Sequence, residues 1–258
     1  MGILIKTQTE IDLMRIAGKR HGEILKKVRD FVRPGITTAD IDDYATGLIA
    51  EYGDIAAFKN YRPEGVKTAF PCSICTSVNE VIVHGIPSSD RVLVSGDVIS
   101  IDIGINHNGV FTDAAITVPV GEVSQKIVDM IRTAEESLYT GIEQVKVGNT
   151  VGDIGHAIEQ VIKRGKYGIV DGFSGHGVGR YIHEDPYIPN YGKRGTGAKL
   201  KPNMTIAIEP MLTLGSPQWF ILSDDYTTIT QDKSTAVHVE HTVLVTETGY
   251  EILTLEPK

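Results

Sequence analysis

The order helix, glycine turn, helix, strand-rich sequence occurs twice in this chain, 113 residues apart. At that offset VRPGITTADI (32–41) lies on VKVGNTVGDI (145–154). Val32, Gly35, Thr37, Asp40 and Ile41 meet Val145, Gly148, Thr150, Asp153 and Ile154, and upstream Glu23 and Leu25 meet Glu136 and Leu138. Such self-similarity implies one supersecondary unit used twice. No Pro/Ser-rich linker divides the copies, and 258 residues can bury one shared core. We therefore expect two similar halves, about 1–120 and 121–258, within a single domain.

Ile11, Met14, Ile16, Ala17, Ile24, Leu25, Val28 and Phe31 recur at helical spacing and predict an amphipathic helix over 9–31, opened by a Thr7/Glu10 capping box. Pro34–Gly35 ends it, and a second helix is expected over 38–52. The later copy predicts helices over 124–145 and 151–164. Strand-rich sequence follows each pair: SVNEVIVHGIP and DVISIDIGINHNGVFTDAAITVPV first, then MTIAIEPML, WFILSDDYTTIT and STAVHVEHTVLVTETG, with turns at Asn108–Gly109 and Thr248–Gly249. The class is α+β, an antiparallel sheet with helices in each half.

Composition narrows the function classes. The net charge is −8 and no run of Lys or Arg exceeds two, so no broad nucleic-acid footprint is expected. No apolar stretch approaches about 18 residues, and the N-terminus lacks a secretory apolar core. Cys72 and Cys75 form C-x-x-C, but a zinc ribbon needs a second pair, and a redox motif of this spacing would open a helix after a strand. They read as two reduced cytosolic thiols.

The chemistry lies in carboxylates set in apolar sequence. Asp102 sits inside VISIDIGI, and Asp113 follows eleven residues later, beyond NHNG. With His107–Asn108 as a two-residue loop, 102 pairs with 113; with Asn108–Gly109, Asp113 faces 104, diagonal to 102. Either register puts both side chains on one face. Two such carboxylates repel, so one is protonated or a cation sits between them. Glu209 ends the strand TIAIEP, Glu240 lies in the apolar strand AVHVEHTVLV, and His176 stands in the glycine run GHGVGRYIHEDP (175–186). Four carboxylates and one imidazole suit paired divalent ions of the Mn, Fe, Co or Zn kind, which serve hydrolysis.

At these five positions the sequence resembles the type I methionine aminopeptidases, of the pita-bread fold. The carrying motifs are VNEVIVHGIP (78–87), ISIDIGI and GVFTDAA (99–115), GHGVGRYIHEDP, IAIEPML (206–212) and HVEHTVLVT (238–246), in that order across nearly the whole chain. The Asp–Asp spacing of 11 and the His176-to-Glu209 spacing of 33 match type I members. The resemblance implies that Asp102 chelates one metal, that Asp113 and Glu240 bridge two, and that His176 and Glu209 complete the other shell, with Glu209 also moving the proton of the attacking water. It implies substrate-facing roles for His84, near the amine and scissile amide, and for His183, near the carbonyl oxygen. It places Cys75, Phe70, Ile182 and Tyr226 around an apolar pocket for the methionine side chain; Phe70, Ile182 and Tyr226 replace the Tyr, Phe and Trp common there. It also implies a monovalent cation near Asn79 and Val81.

The expected activity is removal of the initiator methionine from nascent chains with a small second residue, in the cytoplasm, at the ribosome, by a monomer. The chain's own Met1–Gly2 start would be such a substrate. A peptidase for Xaa-Pro bonds is the enzymatic alternative, although such enzymes usually carry an extra N-terminal domain for which 258 residues leave no room. A degenerate peptide-binding relative is the other, against which all five ligand positions are filled. Of the other histidines, His107 is expected in a turn, and His21 and His156 on helix surfaces. His238 should face the Glu240 side and His241 the opposite one. Glu184 and Asp185 should lie on the rim, and glycines 175, 177 and 179 should let metal and peptide approach the backbone.

Overall fold

The computed structural model describes residues 2–257, so Met1 lies outside the described residues. Four helices form where the periodicity places them: α1 (Gln8–Phe31), α2 (Thr38–Glu51), α3 (Gln125–Ile142) and α4 (Val151–Gly165). Thr7 and Glu10 make the capping box of α1. The residues that match across the 113-residue offset build the same turn twice. Gly35 and Gly148 both have φ 91°, a left-handed conformation that favours glycine. Their N–H groups donate to Leu93 and Leu200 at 2.8 and 3.2 Å. The N–H groups of Thr37 and Thr150 then donate to the Asp40 and Asp153 carboxylates at 2.7 and 2.8 Å, opening α2 and α4.

All strand pairs are antiparallel. One four-stranded sheet holds Ile55–Ala56, Val98–His107, Ile74–Val78 and Val110–Pro119. Helices α1 and α2 cover it through Ile24, Leu25, Val28, Ile41, Leu48 and Ile49, against Ile99, Ile101, Ile103 and Ile105. A five-stranded sheet runs Gly249–Ile252, His241–Thr246, Thr205–Ile208, Ser174–Gly177, Glu184–Pro189. It packs under α3 and α4, with Leu138, Ile154 and Ile158 against Ile206, Ile208 and Val243. Two three-stranded sheets complete the fold.

The hairpin Val98–His107/Val110–Pro119 turns at Asn108–Gly109, both with positive φ (51° and 87°), as a two-residue hairpin loop requires. Asp102 therefore pairs with Ala115 and Gly104 with Asp113, the diagonal alternative. The isoleucines at odd positions face the helices, which turns Asp102 and Asp113 together onto the other face.

Several expectations are corrected. Glu240 is not inside a continuous strand: strands end at His238 and resume at His241. At the break its N–H donates to Ala115 O at 2.9 Å, tying this segment to the hairpin. His21 is not on a helix surface but fully buried, with Nδ1 3.0 Å from Thr112 Oγ1, and burial holds its pKa down at about 3. His107 is the last strand residue rather than a turn residue. It is buried at 2.7 Å from Asp54 Oδ1 and shares that carboxylate with Arg20. Glu184 is not on the rim: its buried carboxylate pairs with buried Lys6 and accepts the N–H groups of Arg180 and Tyr181. The glycines of GHGVG answer to the chain itself. A Cβ at Gly175 would collide with Ala207 O, and one at Gly177 with Asp185 O, so neighbouring strands and not a ligand demand them. At Gly179 the obstacle is the Lys6 side chain.

Candidate metal centre and active site

The two sheets bring the five predicted positions into one place. Asp102 and Asp113 come from the hairpin, and Glu240 from the break opposite Ala115. His176 lies on Ser174–Gly177, paired with Ala207 two residues before Glu209. Ligand atoms of Asp102, Asp113 and Glu240 lie within 4.8 Å of one another, as do those of His176, Glu209 and Glu240. Glu240 belongs to both groups. A third grouping, Asp113, His176 and His183, meets the same criterion.

Buried carboxylate oxygens normally find a donor. Here Asp102 Oδ1, Asp113 Oδ1 and Glu240 Oε1 are buried with no hydrogen-bond partner among the described residues. Burial, then mutual repulsion with Asp102 and Glu209, raises Asp113 well above the carboxylate range; burial, Asp113 and Glu209 do the same to Glu240. Asp102 is raised to about 7, chiefly by burial. His176 donates Nδ1–H to the Gly177 carbonyl at 2.9 Å, so in the neutral ring the lone pair is on Nε2. That nitrogen faces Glu209 Oε1 at 3.5 Å and Asp113 Oδ2 at 3.8 Å. Orphaned carboxyl oxygens around an imidazole nitrogen fit divalent cations, which take the place of their protons.

Without cations these carboxyls hold protons that the unfolded chain has already released. The folded state then binds more protons above the ordinary carboxylate value, and stability falls as pH rises through that window. The buried histidines with lowered pKa oppose this trend below the ordinary histidine value, so the window that isolates the carboxyls lies above it: chelator-stripped protein is expected to melt several degrees lower at pH 8 than at pH 7, and restoring a divalent ion should remove the slope. Thermal unfolding at both values checks this, and equal or rising stability at pH 8 contradicts it.

The cluster forms one wall of a cavity of about 530 Å³. Apolar side chains line the rest of it, among them Phe58, Val66, Phe70, Cys75 and Tyr226. Phe70 and Tyr226 meet edge to face at 5.2 Å. Ile182 is buried in the same apolar cluster but is not part of the cavity lining. Cys72 and Cys75 are free thiols, and burial raises the first to about 11 and the second well above its usual value. His84 follows the strand Val81–Val83 with φ 59°, lines the cavity and meets Phe173 at 5.9 Å; burial lowers it to about 4. The bend after the glycines returns His183 to within 4.5 Å, ring to ring, of His176.

His238 Nε2 lies 3.3 Å from Glu209 Oε2, while His241 turns away to Tyr139 and Thr254. Burial opposes a charge on His238, but Glu209 and Asp102 outweigh it and the pKa rises. Asn79 O already accepts the Ala236 N–H at 2.7 Å. Sequence reasoning missed Phe58, Tyr61, Phe173 and Met211 in the lining, because they come from loops and short strands without periodic pattern.

Residues 12–247 match the model of metallopeptidase family M24. A curated methionine aminopeptidase of Clostridium acetobutylicum is 46% identical over 98% of this chain and 99% of that protein. The chain belongs to metallopeptidase family M24, among the methionine aminopeptidases. The fold follows suit. The crystal structure of methionine aminopeptidase from Thermotoga maritima superposes with a TM-score of 0.94 at 39% identity, over 99% of this chain and 100% of that one. A prolidase from Pyrococcus furiosus shares the fold alone, at 24% identity and TM-score 0.77, with 98% of this chain covering 66% of it. These likenesses identify the architecture as the pita-bread fold, and membership makes the chain a metallopeptidase, a hydrolase. No helix among the described residues is long and apolar enough to cross a membrane.

Proposed function

We propose that this chain removes the initiator methionine from nascent polypeptides with a small second residue, and that Asp102, Asp113, His176, Glu209 and Glu240 hold two divalent ions for the purpose. One observation carries the reading: two ligand groups that share Glu240 stand, with orphaned oxygens, in one cavity with the apolar side chains of Phe58, Phe70, Cys75 and Tyr226. Bound there, the ions would supply Lewis acidity to the scissile carbonyl and acidify the attacking water.

The chain's own groups do the rest. Phe58, Phe70, Cys75 and Tyr226 take the thioether side chain, with Ile182 packed in the same cluster. The free amine lies toward His84. Glu209 accepts the proton of the attacking water and passes it to the departing amine, steadied by His238 at 3.3 Å. His183 donates to the carbonyl oxygen as negative charge grows on it. Asp102 and Asp113 come from the first repeat copy and the other three ligands from the second, so 1–120 and 121–258 act as a single catalytic domain. The reading includes a monovalent cation near Asn79 and Val81, a monomeric state, and work on chains leaving the ribosome in the cytoplasm.

Metal removal tests it. Thorough chelation is expected to abolish cleavage of Met-Gly-Met, and Co, Mn, Fe or Zn, restored singly, should recover it to different extents. Undiminished activity after chelation sinks the mechanism, and cleavage of Xaa-Pro dipeptides alone would favour the prolidase alternative.

A further inference from the structure

We propose that Tyr61 is a positioning residue for His183: its hydroxyl donates to Nδ1 and so holds the imidazole in the tautomer that carries its proton on Nε2, toward the cavity. The inference rests on the role given to His183 above. Tyr61 Oη lies 2.9 Å from His183 Nδ1, with the ring centroids 5.2 Å apart and the rings tilted by 55°. His183 also makes an edge-to-face pair with His176, so two aromatic neighbours hold the imidazole.

Tyr61 is itself held firmly. Its carbonyl accepts the Phe70 N–H at 2.8 Å, and the Asn60 N–H donates to Phe70 O at 2.9 Å, closing the neck of the 61–70 loop. The Tyr226 hydroxyl reaches Thr68 O at 2.7 Å and Tyr61 O at 3.3 Å, stapling the loop from inside. Burial raises the Tyr61 phenol above its usual value, so it keeps its hydrogen.

A neutral imidazole that accepts at one nitrogen donates from the other. With Nδ1 occupied, Nε2–H is what His183 offers to an oxygen gaining negative charge, where the opposite tautomer would present a lone pair. A His183 ring nitrogen also lies within 4.8 Å of ligand atoms of Asp113 and His176. Were His183 a metal ligand instead, the protonation would be reversed, with Nδ1–H donating to the phenol oxygen. The two arrangements differ in an observable.

The test is histidine nitrogen NMR of the zinc-loaded, 15N-labelled enzyme, with His183 assigned by its loss in His183→Gln. The expected result is an Nε2-protonated His183. In Tyr61→Phe, which keeps the ring, both tautomers should appear, and kcat on Met-Gly-Met should fall about tenfold with KM within about twofold. A loop serving only to shape the pocket would move KM and leave the tautomer alone. An Nδ1-protonated His183 in the wild type, or a Tyr61→Phe enzyme with unchanged tautomer and kcat, overturns the proposal. Failure of the wild-type enzyme to cleave the peptide would strike the functional reading instead, and the tautomer measurement would still decide the role of Tyr61.

Discussion

Asp102→Asn is expected to lower kcat/KM on Met-Gly-Met by about 10³-fold or more while the protein stays folded. The substitution keeps the shape of the side chain and removes one of the anions gathered around Glu240. Loss of a divalent ion's contribution is worth several kcal/mol of barrier, and about 4 kcal/mol corresponds to three decades of rate. Asp102 is raised to about 7 mainly by burial, so in the ion-free chain the uncharged amide is tolerated at least as well as the carboxylate. Peptide cleavage and thermal unfolding, measured on the same preparation, check both halves. An active variant would remove Asp102 from the metal centre, and an unfolded one would make its role structural.

Lys6→Met is expected to lower stability by about 3–5 kcal/mol, the usual cost of stranding one member of a buried ion pair. For a chain of this size that is roughly 10 °C in melting temperature. The side chains of Lys6 and Glu184 are 1% and 0% exposed. Burial pulls the lysine below its usual pKa, and Glu184 works against that. Glu184 also anchors the N–H groups of Arg180 and Tyr181, just ahead of His183. Activity should therefore fall with stability, and Lys6→Met combined with Glu184→Gln should recover much of the loss, since no charge is left buried and the amide oxygen can still accept the Arg180 and Tyr181 N–H groups. A Lys6→Met protein that melts like the wild type would show that the pair contributes little.

What could be read in the sequence was what depends on short spacing. Helical phase gave four helices to within a few residues. The parity of strands put Asp102 and Asp113 on one face in either register, so that conclusion survived not knowing which two residues turn. The burial of His21 was readable too: it is in phase with Met14, Ala17, Leu25 and Val28, all fully buried. Gly18 and Gly22 on the same helix let the backbone of Leu253 and Leu255 pass close by, a contact no local pattern announces. Long-range pairings stayed hidden for that reason: Arg20, Asp54 and His107 converge from three elements, and Lys6 reaches Glu184. The glycines of GHGVG were recognised as close approaches, but the approaching partner was another strand. Glu240 looked like a strand residue because its neighbours are apolar. The chain breaks there as it crosses from the partner strand Met211–Thr213 to Thr205–Ile208.

Ala115 stands between Asp102, its partner across the hairpin, and Glu240, with which it exchanges main-chain hydrogen bonds. Three adjacent backbones are thereby ruled at the spacing of a sheet ladder, about 4.8 Å per step. The spacing of the backbones that carry Asp102 and Glu240 is thus a property of the peptide group. Four carboxyl groups are assembled by the folding of the sheets, and their cage is already cut to size before any ion arrives.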